Sequence, residues 1–146
     1  MTACTLRPAL EGDKAFIFES YKATLQPYVE WAWGWDEAFQ RNGFWQYHPL
    51  EKFQVITTVG KTAGGLYTEE QTGIHFIRLI FLLPDFQNLG IGSELLRQEA
   101  LRAAETGKQL HLKVIKINPA KKLYERLGFE VFAEDEHTFH MRLSNS

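Results

Sequence analysis

The sequence predicts a mixed α/β fold in which a central β-sheet of about seven strands carries helices on both faces. Two observations lead to this prediction. Strand-like and helix-like segments alternate along the chain, and turn residues separate them. The segment IHFIRLIFLL, residues 74–83, is apolar on both faces, as expected for a central strand that is covered by helices on each side.

The first part of the chain predicts one strand and two helices. Residues Thr5–Arg7 form a short strand, and Asp13 is a suitable N-cap for a helix that Pro27 ends or bends. The aromatic segment 28–49 holds all four tryptophans and shows no clean period. It predicts a loop and then a second, short helix that begins near Asp36.

The rest of the chain predicts a strand meander and two further helices. Two β-rich runs, residues 53–59 and 63–70, precede the central strand, and we interpret Gly60 and the Gly64–Gly65 pair as turn formers. The later elements are a helix over 92–106 with Leu96, Ala100, Ala103 and Ala104 on one stripe, a strand over 109–117, a helix capped by Asn118, and strands over 130–134 and 138–143.

Composition and charge narrow the classes of function. The 146 residues, 45% of them hydrophobic, suit one domain covering residues 1–146. A net charge of −2 and a pI near 6.2 argue against nucleic acid as a partner. No apolar run is long enough to span a bilayer and the first ten residues lack a signal-peptide layout, so we expect a cytoplasmic protein without a membrane partner. Cys4 is the single cysteine, and we interpret it as a small apolar strand residue. Because it has no second cysteine to form a metal pair, no metal is expected.

The most informative stretch is LLPDFQNLGIGSELL, residues 82–96, where the central strand runs through a glycine turn into a helix. Backbone N–H groups at a helix N-terminus lack internal partners, and the helix dipole adds partial positive charge, so a phosphate is favoured there. Gly90 and Gly92 let the backbone approach such a group closely. A Rossmann fingerprint would need a third glycine where Leu95 stands, and the Gly-Lys-Ser/Thr of a P-loop is absent.

Gln87, Gly90 and Gly92 resemble the Gln/Arg-x-x-Gly-x-Gly/Ala signature of the GNAT N-acetyltransferase superfamily. The segment NPAKKLYERLGFE, residues 118–130, is similar to its second conserved block, in which an Asn, an Ala and a Tyr precede Leu-Gly-Phe. The resemblance covers the element order of the whole chain. It implies the GNAT fold, with a β-bulge that splays the sheet beyond the central strand and leaves a V-shaped cleft for acyl-CoA.

The resemblance implies a set of contacts to acetyl-CoA. Backbone groups of Leu82 and Leu83 would meet the pantetheine arm, and Asn118 would touch it from the neighbouring strand's end. From its position directly after the Asn118 cap, Lys121 is a candidate to meet the phosphate end, and the alternative is a lysine that is only solvated. The residues that would wrap the pyrophosphate are Gln87, Asn88, Leu89, Gly90, Ile91, Gly92 and Ser93. Asn118 would also serve as a helix cap without any ligand, and Leu82 and Leu83 bury their side chains in either case.

Acyl transfer from a thioester to an amine needs a proton for the departing thiolate and a base for the amine. Tyr124 resembles the family's tyrosine that protonates the thiolate, although a core aromatic at helical spacing would look the same. No acid follows Arg78 on the central strand, so we expect a base that acts through water. Glu30, Asp36 and His111 are open candidates for orienting that water.

In this superfamily the acceptor is usually chosen by the region between the first strand and the meander. Here that region is aromatic and contains Trp33 and Trp35, which would wall a pocket or cradle a cation, and Glu30, which would hold an amine. Arg78, with Lys113, would bind a carboxylate on the acceptor. The alternative is that the rings only pack the helices onto the sheet.

These observations predict an acetyl-CoA-dependent N-acetyltransferase that moves an acetyl group directly to an amine in a ternary complex. The expected partner is a small-molecule or peptide amine acceptor, and a homodimer is left open. Two alternatives also remain open, a non-catalytic acyl-CoA-binding module and a transferase of longer acyl chains.

Overall fold

The described residues 3–143 of the computed structural model form one seven-stranded sheet with the strand order β1-β2-β3-β4-β5-β7-β6. Only β4 and β5 are parallel in it, and the other neighbours are antiparallel. The strands are β1 Thr5–Pro8, β2 Phe53–Thr58, β3 Lys61–Gln71, β4 Ile74–Leu82, β5 Gln109–Ile115, β6 Phe129–Glu134 and β7 Thr138–Leu143. The α-helices are α1 Lys14–Trp33, α2 Glu37–Tyr47, α3 Ile91–Glu105 and α4 Ala120–Arg126. This arrangement confirms the predicted fold class.

The helices cover the two faces of the sheet through two separate cores. On one face α3 and α4 pack onto the strands around Leu95, Leu112 and Met141. On the other face α1 and α2 pack through an aromatic core that includes Phe18, Tyr21, Phe44, Phe53, Tyr67 and Phe81. Most of the high aromatic content of the sequence therefore lies on the α1 face. No helix in the described part of the chain is long and apolar enough to cross a membrane.

Of the two outcomes predicted at Pro27, an end or a bend of the helix, the end is wrong, because α1 continues through Pro27 to Trp33. A proline inside a helix removes one backbone hydrogen bond and costs about 3 kcal/mol. Pro27 is exposed, whereas Val29 and Ala32 beyond it are buried against the sheet, so the packing of the last turns offsets that cost. The predicted start of α2 is confirmed, since the Asp36 carboxylate accepts a hydrogen bond of 2.9 Å from the Phe39 N–H.

The Gly64–Gly65 pair is not a turn, which corrects a second prediction. Both glycines lie inside β3, where they pair with Leu82 and Phe81 of the antiparallel strand β4. A Cβ on Gly64 would collide with the backbone carbonyl of Phe81, and one on Gly65 would lie 2.7 Å from the Phe81 ring. The glycines are therefore required by the close approach of two strands.

The sheet opens between β4 and β5, as the resemblance to the GNAT superfamily implies. A β-bulge at Arg78 shifts the pairing of β4 with β3, so that Tyr67 faces Leu79 and Thr68 faces Ile77. The parallel pairing of β4 with β5 ends at Ile77 and Leu112, although both strands continue. Beyond that point the two strands are no longer paired with each other, and we refer to the gap between their ends as the cleft.

Candidate functional site

The turn that follows β4 builds a helix N-terminus at the open end of the cleft. Gly90 is the N-cap of α3 with φ +82°, a left-handed conformation that glycine adopts without steric cost. The first intrahelical bond runs from the Glu94 N–H to the Gly90 carbonyl at 3.1 Å. The N–H groups of Ile91, Gly92 and Ser93 precede it and have no acceptor within the helix, which makes this end of α3 suited to an anion.

Gln87 ties this turn to the end of β4. Its side-chain amide donates a 2.8 Å hydrogen bond to the Leu82 carbonyl, and the Leu83 N–H donates at 2.8 Å to Ala63 on β3. Alternate residues of an antiparallel strand direct their backbone groups to opposite neighbours. Leu82 therefore directs its backbone groups towards the β5 side, into the cleft. Its carbonyl already accepts the hydrogen bond from the Gln87 side chain.

The two sequence motifs meet at Gly92. A Cβ on Gly92 would lie 3.4 Å from a methyl group of Leu123 on α4 and 3.8 Å from a methyl group of Leu82 on β4. The start of α3, the end of β4 and the middle of α4 are thus in contact. Asn88 and Leu89, which precede the helix, are exposed, and Asn88 has φ +61°.

Asn118 and Lys121 lie at the start of α4, beyond the end of β5. The Asn118 side-chain oxygen accepts a 2.9 Å hydrogen bond from the Ala120 N–H, so the residue acts as a helix cap. Lys121 pairs with Glu125 at 3.2 Å and lies 4.8 Å from the centroid of the Phe139 ring. Both roles are structural, and they leave the amide nitrogen of Asn118 without a bond to any described residue.

Tyr124 is buried on the inner face of α4, 7% exposed, with its ring edge-on to Phe129 at 5.9 Å. Its hydroxyl makes no hydrogen bond to a residue in the range 3–143. Burial raises the pKa of Tyr124 to about 12, because the charged phenolate would lose its hydration there. The hydroxyl therefore keeps its proton at neutral pH and can act as a donor.

The predicted acceptor residues are spread over the α1 face and are not all brought together. Trp33, at the end of α1, is 62% exposed, and its ring lies 5.9 Å from the ring of His137 in the β6–β7 turn. Trp35 is half-buried against Tyr21 and donates its indole N–H to Glu37 at 2.9 Å. Glu30 lies on an open groove along the outer side of α1.

Arg78, the bulge residue of β4, is exposed and pairs with Glu69 at 2.8 Å. Among the candidates for orienting water, Asp36 caps α2 with its carboxylate, and His111 lies on β5 next to Leu112, the last residue paired with β4. Burial, and secondarily the charge of Arg142, lowers the pKa of His111, so its imidazole is neutral near pH 7.

His137 lies beside the exposed tryptophans of α1, a position that the sequence does not predict. Its ring packs against both Trp31 and Trp33, and its Nδ1 is buried without a hydrogen-bond partner among the described residues. The His137 carbonyl accepts from the Lys116 N–H at 2.8 Å, which places the ring beside the end of β5. A histidine in a polar turn gives no sequence signal of this contact, because α1 is about a hundred residues away along the chain.

Comparisons with solved structures agree with this geometry. The PaiA N-acetyltransferase from Thermoplasma acidophilum in complex with coenzyme A matches 97% of this chain and 99% of its own, with TM-score 0.76 and 16% identity. The ribosomal-protein-S18-alanine N-acetyltransferase from Escherichia coli matches 97% and 93%, with TM-score 0.69 and 21% identity. Arabidopsis thaliana Naa50, in complex with the bisubstrate analogue CoA-Ac-MVNAL, matches 97% and 98%, with TM-score 0.65 and 15% identity. At such identities these likenesses show the fold.

A search of curated proteins finds no match. A family model described as an acetyltransferase (GNAT) domain matches residues 49–131, which run from the strand meander through the glycine turn to the second motif. That range is more than half of the chain and contains both motifs that meet at Gly92. The chain therefore belongs to the GNAT acetyltransferase family.

Proposed function

We propose that this protein transfers the acetyl group of acetyl-CoA directly to an amine of a small molecule, amino acid or peptide while both substrates are bound. The observation that carries the proposal is the cleft between the unpaired ends of β4 and β5, together with the N-terminus of α3, which follows β4 and has no side-chain cap. A phosphate at that helix end and an extended arm between the strands fit the groups that the cleft presents.

The residues of the cleft suit the parts of coenzyme A. The N–H groups of residues 91–93 would hold the pyrophosphate, with Gln87 fixing the turn that presents them. The backbone N–H of Leu82 and the side-chain amide of Asn118 would face the pantetheine arm. The Leu83 N–H and carbonyl are already bonded to Ala63 and Phe86, so the predicted contact of Leu83 is not part of this proposal. Acetyl-CoA supplies the activated acyl group when bound.

We assign proton transfer to Tyr124, in the core on the α3–α4 face of the sheet, and to His111, on β5 beside the last β4–β5 pair. Tyr124 holds a proton at its buried hydroxyl and would give it to the departing sulfur. His111 is neutral near pH 7 and lies beside the last β4–β5 pair, so it would take the proton of the acceptor amine through water. The exposed Trp33, together with Trp35 and Glu30 on the same side, would guide the acceptor.

The test is release of free coenzyme A from acetyl-CoA in the presence of a mixed library of amines and peptides, with the acetylated product identified by mass. We expect release that depends on the acceptor. The Trp33→Ala variant should raise the acceptor KM by about tenfold and leave the acetyl-CoA affinity within about twofold, because Trp33 lies outside both cofactor motifs. Phe39→Ala is the matched control, since Phe39 and Trp33 are both 62% exposed.

A protein that binds acetyl-CoA and acetylates no member of the library would contradict the enzyme assignment and favour a non-catalytic acyl-CoA-binding module. Equal loss of acetyl-CoA affinity and acceptor affinity in Trp33→Ala would contradict the acceptor role of that residue.

A further inference from the structure

A group of basic side chains lies on the α1 face of β5 and β7. Lys113 on β5 pairs in register with His140 on β7, and His111 pairs with Arg142. Side chains that face each other across a strand pair point to the same side of the sheet. The aliphatic neighbours Leu112 and Met141 point to the opposite side, into the α3–α4 core. We refer to Lys113, His140 and Arg142 as the basic patch.

The charges of the basic patch are only partly balanced. Asp135 accepts a 3.1 Å hydrogen bond from His140, and the Arg142 guanidinium lies 5.0 Å from the centroid of the Phe132 ring. Lys113 and Arg142 are exposed, and neither forms an ion pair with a residue in the range 3–143. Glu130 lies opposite Arg142 on β6 without pairing with it, and the nearby Arg78 is already paired with Glu69.

A trough of about 240 Å³ runs along this surface. Its floor and walls come from the five neighbouring strands β3, β4, β5, β7 and β6, through Gln71, Ile74, Phe76, His111, Leu112, Lys113, Phe132 and His140. Among the described residues, no acidic side chain lines it. Pockets that enclose whole small ligands usually measure roughly 300–1,000 Å³, so this trough suits the side chains of an extended chain better than an enclosed small molecule.

The trough adjoins the point where acetyl transfer is proposed. The pairing of β4 with β5 ends at Leu112, a lining residue, and Lys113 is the first β5 residue beyond it. Residues rise about 3.3 Å each along a strand, so Lys113 lies within one or two residue lengths of the apex of the cleft. A group bound by the patch would therefore be close to the reacting amine.

We infer that the acceptor is a polypeptide whose amine is followed closely by acidic side chains, which the basic patch binds. This inference rests on the proposed function and specifies its substrate. Unpaired cations beside the acceptor would attract carboxylates and repel a basic segment, which gives selectivity by charge. The apolar rings of Phe76 and Phe132 would cover the aliphatic parts of the bound chain.

The test compares two peptides that differ only in charge, one with Asp and Glu after its N-terminus and one with Asn and Gln at the same positions. For the acidic peptide we expect kcat/KM to be at least about tenfold higher at low salt, and the preference to shrink as salt screens the charges. The Lys113→Glu, Arg142→Glu double variant should lose this preference. Lys61→Glu, at an exposed position on the β2–β3 hairpin, is the control and should keep it.

Fluorescence anisotropy measures binding of the same labelled peptides to the coenzyme A-loaded protein. This measurement distinguishes the claim that the basic patch selects acidic peptides from the claim that the protein is an acetyltransferase. Equal kcat/KM for both peptides, or a preference that survives the double variant, overturns the inference while the proposed function stands. Faster acetylation of free glutamate than of the acidic peptide also overturns it, because the carboxylate would then come from a small molecule. Binding of the acidic peptide without acetylation of any amine contradicts the proposed function.

Discussion

Replacing Tyr124 with phenylalanine is expected to lower kcat by on the order of 10²–10⁴-fold, towards the lower end, with acetyl-CoA affinity retained. The substitution keeps the buried ring and removes only the hydroxyl, whose pKa is raised by burial to about 12 and which has no hydrogen-bond partner among the described residues. The lower end is expected because a thiolate is a good leaving group and water can protonate it. The measurement is steady-state turnover beside calorimetric affinity, under conditions where chemistry limits the rate.

Tyr21→Phe is the matched control for this variant. Tyr21 is also buried and burial also raises its pKa to about 12, but it lies in the aromatic core of the α1 face. Both substitutions should change the free energy of unfolding by no more than about 1.5 kcal/mol. If Tyr124→Phe turns over like the parent, or if Tyr21→Phe loses as much activity, Tyr124 is only a core aromatic.

The second large effect concerns stability. His75→Ala is expected to lower the free energy of unfolding by about 3 kcal/mol, the lower end of the range for breaking a buried pair, because the buried carboxylate of Glu99 would keep only the half-exposed Arg102 as a partner. His75 on β4 is 6% exposed, and its two ring nitrogens contact Glu70 on β3 and Glu99 on α3, the latter at 2.9 Å. Glu99 is 1% exposed, and its second oxygen lies 3.4 Å from Arg102 Nε as an ion pair without a hydrogen bond in the described part of the chain.

The contribution of His75 should depend on pH in a defined direction. The hydrogen bond to Glu99, opposed by burial and assisted by Glu70, raises the pKa of His75 above 6.5. Because folding raises the pKa of His75, the protonated ring stabilises the folded protein. This stabilisation is complete below the pKa of His75 in the unfolded chain, and it is lost as the pH rises through the pKa of His75 in the folded protein. The parent should therefore lose more stability than His75→Ala as the pH rises above about 6.5.

Urea unfolding of both proteins across this pH range measures the effect. His140→Ala is the control, since its partner Asp135 is exposed and the pair should contribute at most about 1 kcal/mol. Replacing both buried partners, as His75→Phe with Glu99→Leu, should recover part of the loss, because no buried charge remains. A loss below about 1 kcal/mol in His75→Ala, with a pH profile like that of the parent, would show that the ring is not held as a charged group.

The elements that the sequence predicts well are those set by local patterning. The apolar run of β4, the glycine turn, the Asp36 cap and the closing strands are visible in residue type and period alone. The predicted helix end at Pro27 and the predicted turn at the Gly64–Gly65 pair are wrong because tertiary contacts decide both features. Burial of Val29 and Ala32 keeps α1 helical beyond the proline. The carbonyl and ring of Phe81 on β4 lie so close to β3 that only glycines fit opposite them.

The stripe predicted for α3 is partly wrong for a related reason. Ala104 is exposed, whereas Ile91, Leu95 and Glu99 are buried with Leu96 and Ala103. From the sequence alone, a glutamate in a helix is expected at the surface. The burial of Glu99 becomes understandable only when its partner His75 on β4 is known.

The cofactor side of the site follows from short motifs, and the acceptor side does not. Gly90, Gly92 and Asn118 lie within two contiguous segments, so their spacing is visible in the sequence. The contact of Trp33 with His137 and the pairing of Lys113 with His140 join distant parts of the chain. Trp35, which looks equivalent to Trp33 in the sequence, packs against Tyr21 instead.

The central claim, that acetyl-CoA binds at the N-terminus of α3 in the β4–β5 cleft, is tested most directly by calorimetric titration of acetyl-CoA into the parent, Gly90→Val and Gly60→Val. Gly60 has φ +74° and Gly90 has φ +82°, and a Cβ would meet nothing within 4 Å at either position, so the two variants carry similar backbone strain. We expect Gly90→Val to remain folded and lose at least about tenfold in affinity, and Gly60→Val to bind like the parent. Parent-like binding by folded Gly90→Val would contradict the account.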